Sequence, residues 1–277
     1  MHVPQSYIED TVQIALQEDI GPEDVTSKLI SEDEFILASV ITREPAIICG
    51  VDWFEEVFNQ LDSEIFIEWE VDDGEAVVAD QQLCSLSGSA RALLSGERTA
   101  LNFLQTLSGT ATLAHAYAEA VKGTQARVLD TRKTIPGLRV AQKYAVKCGG
   151  CDNHRIGLFD AILIKENHIL AAGSIKEAVE AARFNSPELS VEVEVENLDE
   201  LQQALDAGVD RIMLDNFDNG QLIEAVRINQ KRAELEASGG VTLDSIRGIA
   251  ETGVDFISTG AITKDIKAID LSMRFSA

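Results

Sequence analysis

Apolar residues recur along this chain in two rhythms, and the change between them falls near residue 108. In the first part, Ile8, Val12, Ala15 and Leu16 share one face of a helix over 8–18, since residues three and four apart lie on the same side of a 3.6-residue turn. The segments 35–42 and 64–71 read as strands; in the second, Ile65, Ile67, Trp69 and Val71 fall at every other position. VDDGEAV at 71–77 reads as a hairpin-like turn. The Ala- and Leu-rich stretch 91–107 reads as a helix. This irregular mixture predicts an open-faced α+β sandwich over residues 1–107.

Beyond residue 126 the rhythm becomes regular. Short β-like runs at 127–130, 161–165, 190–195, 211–215, 234–238 and 255–259 alternate, in the later part, with helical stretches at 174–183, 198–207, 219–232 and 242–252. Such alternation builds a parallel sheet with crossover helices. Six runs lie between residues 127 and 259, whereas a complete eight-fold barrel takes about 250 residues. The fold class expected is therefore α/β, with an incomplete α/β barrel over 108–267. The tail 268–277 would pack back on the first domain. A doubly wound open sheet is the alternative architecture.

Charge sharpens this picture. The 277 residues carry a formal net charge of -24, which argues against nucleic acid or an anionic membrane as a partner. Residues 98–165 nevertheless hold ten Lys/Arg against four Asp/Glu, a local +6 that leaves -30 elsewhere. A cationic island in an acidic chain suits a pocket for small polyanions. No apolar run approaches the ~20 residues of a membrane span. The first residues lack the basic and apolar regions of a secretory leader, so the expected location is cytoplasmic.

The strand-like runs end in chemistry-bearing residues, and in parallel α/β folds that edge holds the active site. The first is followed by Thr131-Arg132-Lys133-Thr134. Arginine grips carboxylate or phosphate with two parallel hydrogen bonds; taken alone, the segment is equally a surface loop. His154-Arg155 supplies a second cationic pair. Lys165 closes the second run as a phosphate ligand or a Schiff-base nucleophile. Asn167 and His168 follow it, with His168 equally a helix-start residue. Glu192, Glu194 and Glu196 alternate with valines and so share one face. Glu194 with Asp215 could hold Mg²⁺ or stabilise a positive sugar-like transition state. Ser238-Gly239-Gly240 and Thr259-Gly260-Ala261 end the last two runs, where glycine lets backbone N–H groups approach a phosphate. Cys148-Gly-Gly-Cys151 has no second ligand pair to complete a zinc site, and its glycines read as a turn.

Eight segments bear a specific resemblance: ALQEDIGPEDVTS (15–27), GERTALNFLQTLSGTAT (96–112), DTRKTIPGLR (130–139), HRIGLFDAILIKENHI (154–169), VEVEVENLDEL (191–201), IMLDNF (212–217), SGGV (238–241) and GVDFISTGAIT (253–263). In these the chain resembles the quinolinate phosphoribosyltransferases (the carboxylating nicotinate-nucleotide pyrophosphorylases) of the type II phosphoribosyltransferases. The resemblance implies Mg²⁺-dependent transfer of phosphoribose from phosphoribosyl pyrophosphate to quinolinate, giving nicotinate mononucleotide, pyrophosphate and CO₂. It implies that Arg132, His154 and Arg155, with Thr131 beside them, bind the quinolinate carboxylates. Lys133 and Lys165 would bind anionic groups of the substrates, and Glu194 and Asp215 would lie by the ribose and metal. Ser238, Gly239, Gly240, Thr259, Gly260 and Ala261 would cradle the 5′-phosphate. Arg98 would enter the site of a neighbouring subunit, making the unit a homodimer or larger.

Two positions depart from the family pattern: the cysteines flanking Gly149-Gly150, and Thr259 where a valine is usual. Two other functions fit parts of the chain. A lysine-dependent aldolase would use Lys165, and a related phosphoribosyltransferase or binding paralogue, such as that associated with molybdate transport, would take another acceptor. The doubled cationic set Arg132 and His154-Arg155 favours a dicarboxylate. Lys143 and Lys147, at helix spacing, are expected to be supporting or peripheral.

Overall fold

A computed structural model describes residues 1–276 of the protein. The chain forms two compact units. One comprises Met1–His115, Ile135–Gly150 and the C-terminal segment from Asp265; the other comprises Ala116–Thr134 and Cys151–Lys264.

The first unit holds α1 (Gln5–Ile20), a 3-10 turn (Ser27–Leu29), β1 (Phe35–Thr42), β2 (Ala46–Ile47), α2 (Val51–Leu61), β3 (Phe66–Trp69), β4 (Ala76–Val77) and β5 (Gln82–Ser89). It also holds most of α3 (Ala90–Ala120), α4 (Arg139–Cys148) and the described part of the last strand, β12 (Leu271–Ser276). Its main sheet runs β12-β1-β5-β3, every pair antiparallel. Ile8, Val12 and Leu16 of α1 and Trp53, Phe54, Val57 and Phe58 of α2 are buried in one core with Val40, Leu83 and Leu86 of the sheet. Each such large side chain contributes about 1.5–3 kcal/mol of burial. The helix expected over 91–107 runs on to Ala120, because nothing after Leu107 supplies a proline or a capping stop. Helix α2 was not anticipated, and α4 only through the helix spacing of Lys143 and Lys147.

The second unit contains β6 (Arg127–Leu129), β7 (Ile162–Ile164), α5 (Glu166–Ala172), α6 (Ile175–Asn185), β8 (Val191–Val195), α7 (Leu198–Asp206), β9 (Arg211–Asp215), α8 (Asn219–Asn229), β10 (Glu234–Ser238), α9 (Leu243–Ala250), β11 (Phe256–Ser258) and α10 (Ala261–Lys264). Its six strands are parallel in the order β6-β11-β10-β9-β8-β7. Followed from β7, the order climbs to β11 and then meets β6. That is the cyclic order of a barrel, with the ladder interrupted between β6 and β7. A doubly wound sheet would reverse direction at a central strand, and this one does not. Asp152 forms a single bridge to Leu129 beside β6.

Val191, Val193 and Val195 of β8 are fully buried, which turns Glu192 and Glu194 to the other face. Glu196 lies past the end of β8 and is exposed, so only two of the three alternating glutamates occupy that face. Three of the six strands, β8, β9 and β10, hand over to a helix through a capping side chain, and α6 is capped in the same way. Ser174, Asn197, Asp218 and Thr242 accept from backbone N–H groups of Glu177, Glu200, Gln221 and Ser245, satisfying first-turn donors.

Candidate anion site at the strand ends

At the end of β6, Asp130 is fully buried. Its carboxylate accepts from Asn153 Nδ2 at 2.7 Å and from the backbone N–H of His154 at 2.9 Å, pinning the 152–155 segment to the strand end. The His154 ring sits among the inward carboxylates. Nε2 lies 3.0 Å from Glu192 and 3.5 Å from Glu236, and Nδ1 accepts from the Arg155 N–H at 2.8 Å. Burial pushes His154 down, and the hydrogen bond to Glu192 with the Glu236 charge carries it above its usual value. Protonating Nδ1 would cost the Arg155 N–H its acceptor, so the proton in this arrangement is assigned to Nε2. Both ring nitrogens are thus engaged within the protein, and His154 acts on Arg155.

Burial, then the Glu192 charge, pushes Glu236 up to about 7. Arg211 lies 3.5 Å from Glu236 and stacks 4.0 Å over the Phe256 ring. His154, Glu192 and Glu236 bring three potential ligand atoms within 4.8 Å. The Nε2–H and the Arg211 cation face the two carboxylates as ion-pair partners.

Above this floor stand two guanidiniums. Arg155 Nη1 donates to Ala161 O at 3.3 Å. Burial lowers the Arg155 pKa and the Arg132 charge lowers it further, against the opposing pull of Glu192 and Asp160, so the two half-buried cations repel each other. A small dianion relieves that repulsion. Thr131 Oγ1 accepts from the Lys133 N–H at 3.1 Å and Thr263 donates to Lys133 O at 2.8 Å, fixing the loop that carries Lys133. A methyl on Gly260 would fall 2.9 Å from Lys133 Cδ and 3.3 Å from Thr131 Oγ1. The missing side chain is what lets the lysine cross there.

Lys165 directly follows β7 as the N-cap of α5 and forms an ion pair with Glu194 of β8. A Schiff-base nucleophile needs an amine held neutral by desolvation, whereas this one is 41 % exposed and salt-bridged. His168 accepts from the Lys165 N–H at 3.0 Å in a capping box, which is the helix-start role. Asp215 ends β9 and accepts from Asn216 Nδ2 at 2.7 Å. Ser238 stands opposite Asp215, and its carbonyl accepts from Asn216 N. Gly239 has φ 105° and a Cβ there would lie 2.2 Å from Asn216 Oδ1, so no other residue fits. Thr259 is buried; its hydroxyl donates to Val241 O at 3.3 Å and accepts from Ala261 N at 3.2 Å, a structural use of the residue that departs from the family pattern.

The second unit therefore carries Thr131, Arg132, Lys133, His154, Arg155, Lys165, Glu194, Asp215 and both glycine turns at or just after the C-terminal ends of its strands or in the pinned 152–155 segment. Arg98 lies in the first unit, exposed on α3, with no ion pair among the described residues. Lys147 is exposed, but Lys143 is completely buried on α4, contrary to a peripheral role. Arg211 and Glu236 were not singled out from sequence, and Asp130 was read only as a charged strand end. The inward alternation of ELEAS in step with VEVEV was the available signal for Glu236.

Comparison with known proteins agrees with this geometry. The models of the quinolinate phosphoribosyl transferase N-terminal and C-terminal domains match residues 24–108 and 110–274. The chain is 41 % identical over 273 residues to a nicotinate-nucleotide pyrophosphorylase [carboxylating] of Mycobacterium leprae, covering 95 % of each. It is 40 % identical to a probable enzyme of the same name from Bacillus subtilis, covering 92 % of this chain and 89 % of that one. Among solved structures, the nicotinate-nucleotide pyrophosphorylase of Francisella tularensis superposes with a TM-score of 0.97 at 50 % identity, covering 99 % of this chain and 98 % of that one. With both domain models matched in order, and relatives alike along nearly their whole length, the chain belongs to the quinolinate phosphoribosyl transferase family.

Proposed function

We propose that the strand-end pocket is the active site for the reaction this chain performs as a member of its family: transfer of phosphoribose from phosphoribosyl pyrophosphate to quinolinate, with loss of CO₂. The observation that carries the assignment is the repelling pair Arg132 and Arg155 beside Lys133. Quinolinate is a dicarboxylate, and planar guanidiniums grip carboxylates bidentately. His154 fixes the Arg155 backbone and so sets the angle at which one guanidinium meets the substrate.

Holding quinolinate by its carboxylates presents the ring nitrogen to C1 of the ribose, converting a bimolecular encounter into an oriented one. As pyrophosphate departs, positive charge grows at C1. Glu194 supplies a nearby carboxylate, and its ion pair keeps Lys165 where a leaving oxyanion can be met. The glycine turns after β10 and β11 receive the 5′-phosphate through backbone N–H groups. Once N-glycosylated, the pyridinium accepts the electron pair left at C2 when the C2–carboxylate bond breaks. CO₂ departs and a proton fills C2, so orientation and water exclusion suffice at this stage.

Glu194 and Asp215 stand on neighbouring strands as oxygen donors and fit Mg²⁺, which takes one or two carboxylates together with substrate phosphates. Bound there, the ion would neutralise charge on the pyrophosphate. The exposed Arg98, without an ion pair of its own, supports a role at a neighbouring subunit of a homodimer. All four cysteines are free, as a reducing compartment keeps them; this supports action in the cytoplasm. No helix of the described residues is long and apolar enough to cross a membrane.

Incubating the protein with Mg²⁺, quinolinate and phosphoribosyl pyrophosphate should release CO₂ and form nicotinate mononucleotide. Absence of product at saturating substrates, or equal turnover of nicotinate, would count against the reading.

A further inference from the structure

In the first unit, away from any residue assigned to the reaction, Cys49, Asp73 and Cys148 bring two sulfurs and a carboxylate oxygen within 4.8 Å of one another. The three come from distant parts of the chain. Cys49 lies just before α2, Asp73 in the turn between β3 and β4, and Cys148 is the last residue of α4. Cys49 is fully buried, and Asp73 and Cys148 are half-buried. A carboxylate held beside two thiols carries a desolvation cost, and burial pushes Asp73 up to about 6.

We propose that Cys49, Cys148 and Asp73 form a binding site for a soft divalent cation of the zinc type, with the fourth position left to water. Tetrahedral coordination, with Zn–S near 2.3 Å and Zn–O near 2.1 Å, spaces ligand atoms about 3.5–3.8 Å apart, within the limit seen here. The carboxylate is oriented before any ion arrives. Asp73 Oδ1 accepts from the N–H groups of Gly50 at 2.8 Å and Val51 at 3.2 Å, and Oδ2 accepts from the Tyr144 hydroxyl at 3.0 Å. Outer-shell donors of this kind hold metal-ligating carboxylates in place. Metal binding would release the protons of the two thiols. Cys148 is therefore matched across the fold with Cys49 rather than read as half of a CxxC pair. A bound ion would tie the start of α2, the β3–β4 turn and the end of α4 into one cross-link.

The test is titration of the reduced, metal-free protein with Co²⁺, followed by Zn²⁺. Thiolate-to-cobalt charge-transfer absorption should saturate at one equivalent and vanish when Zn²⁺ is added. The oxygen donors Glu194 and Asp215 cannot produce that band. Cys148→Ser should abolish it while thermal unfolding and turnover stay near wild type. Asp73→Asn, which keeps an acceptor for Gly50 and Val51, should weaken Co²⁺ binding by roughly tenfold or more. No charge-transfer band in the wild-type protein, or one that persists in Cys148→Ser, overturns the proposal; the wild-type titration decides it even where a variant fails to fold.

Discussion

In the proposed site, Arg155 is held by an imidazole that is itself engaged within the protein. His154 spends Nε2 on Glu192 and Glu236 and Nδ1 on the Arg155 N–H. Removing the guanidinium and removing the ring should therefore differ. Arg155→Ala is expected to lower kcat/KM for quinolinate by about a hundredfold, since charge-assisted bidentate bonds contribute several kcal/mol in a desolvated site. Arg155→Lys should recover little, because an ammonium cannot reproduce the planar fork. Steady-state kinetics on both variants check this, and full recovery by lysine would contradict the bidentate geometry. Beneath them, Glu236 is held up to about 7 by burial and by Glu192. A carboxyl raised in the folded state stabilises it fully below its unfolded value, and that contribution disappears as pH rises through about 7. Glu236→Gln mimics the protonated form. The melting temperature of that variant relative to wild type should accordingly grow more favourable from about pH 5 to about pH 8. Thermal scans across that range check it, and a difference independent of pH would remove the titration from Glu236.

Among the elements, the strand–turn junctions after β9, β10 and β11 join fold to function, and two of their glycines serve different ends. Gly239 occupies φ 105° against Asn216, so Gly239→Ala should lose stability, by at least about 1 kcal/mol for the backbone alone, along with donor-substrate affinity. Gly260 has no such backbone demand; its space belongs to Lys133. Gly260→Ala should leave the melting temperature nearly unchanged yet reproduce much of the orders-of-magnitude loss of turnover expected for Lys133→Ala. Calorimetry paired with kinetics separates the two, and an equal loss of stability in both would remove the distinction. The junctions were legible in sequence because β-like runs stop at a charged residue or just before glycine: 211–215 and 234–238 coincide with β9 and β10. The elements that escaped notice lack such edges. β5 carries three serines and a glycine in eight residues, and its strand character comes from pairing with β1 and β3. α4 begins at a cationic residue and buries Lys143, a placement that no local pattern of charge discloses. The Asp130, His154 and Glu236 contacts join residues 24 or more positions apart; composition marked the island as an anion pocket, and only folding decides which cations face the ligand and which support it.

At the scale of the whole molecule, the cationic set and the acidic pair lie in one compact unit, while Arg98 belongs to the other. Arg98 is exposed on a long helix beside Glu97, whose charge it favours, and makes no ion pair among the described residues. If that charge serves the pocket of a neighbouring copy, Arg98→Ala and Lys165→Ala each disable a different component of the same composite site. Every homodimer of either variant is then inactive. A heterodimer holds one pocket built from the Lys165→Ala subunit's arginine and the Arg98→Ala subunit's lysine, and that pocket is intact; the second pocket lacks both. Random mixing of equal amounts makes about half the dimers mixed, each with one of two sites working, so activity should recover to roughly a quarter of wild type. The order of events matters as much as the yield. Recovery should follow subunit exchange, measured by resonance energy transfer between labelled copies, and should be absent when the two proteins are crosslinked as homodimers beforehand. Verified exchange without recovery would place Arg98 in service of its own chain, whereas recovery at the statistical level is expected only of a site that two chains complete together.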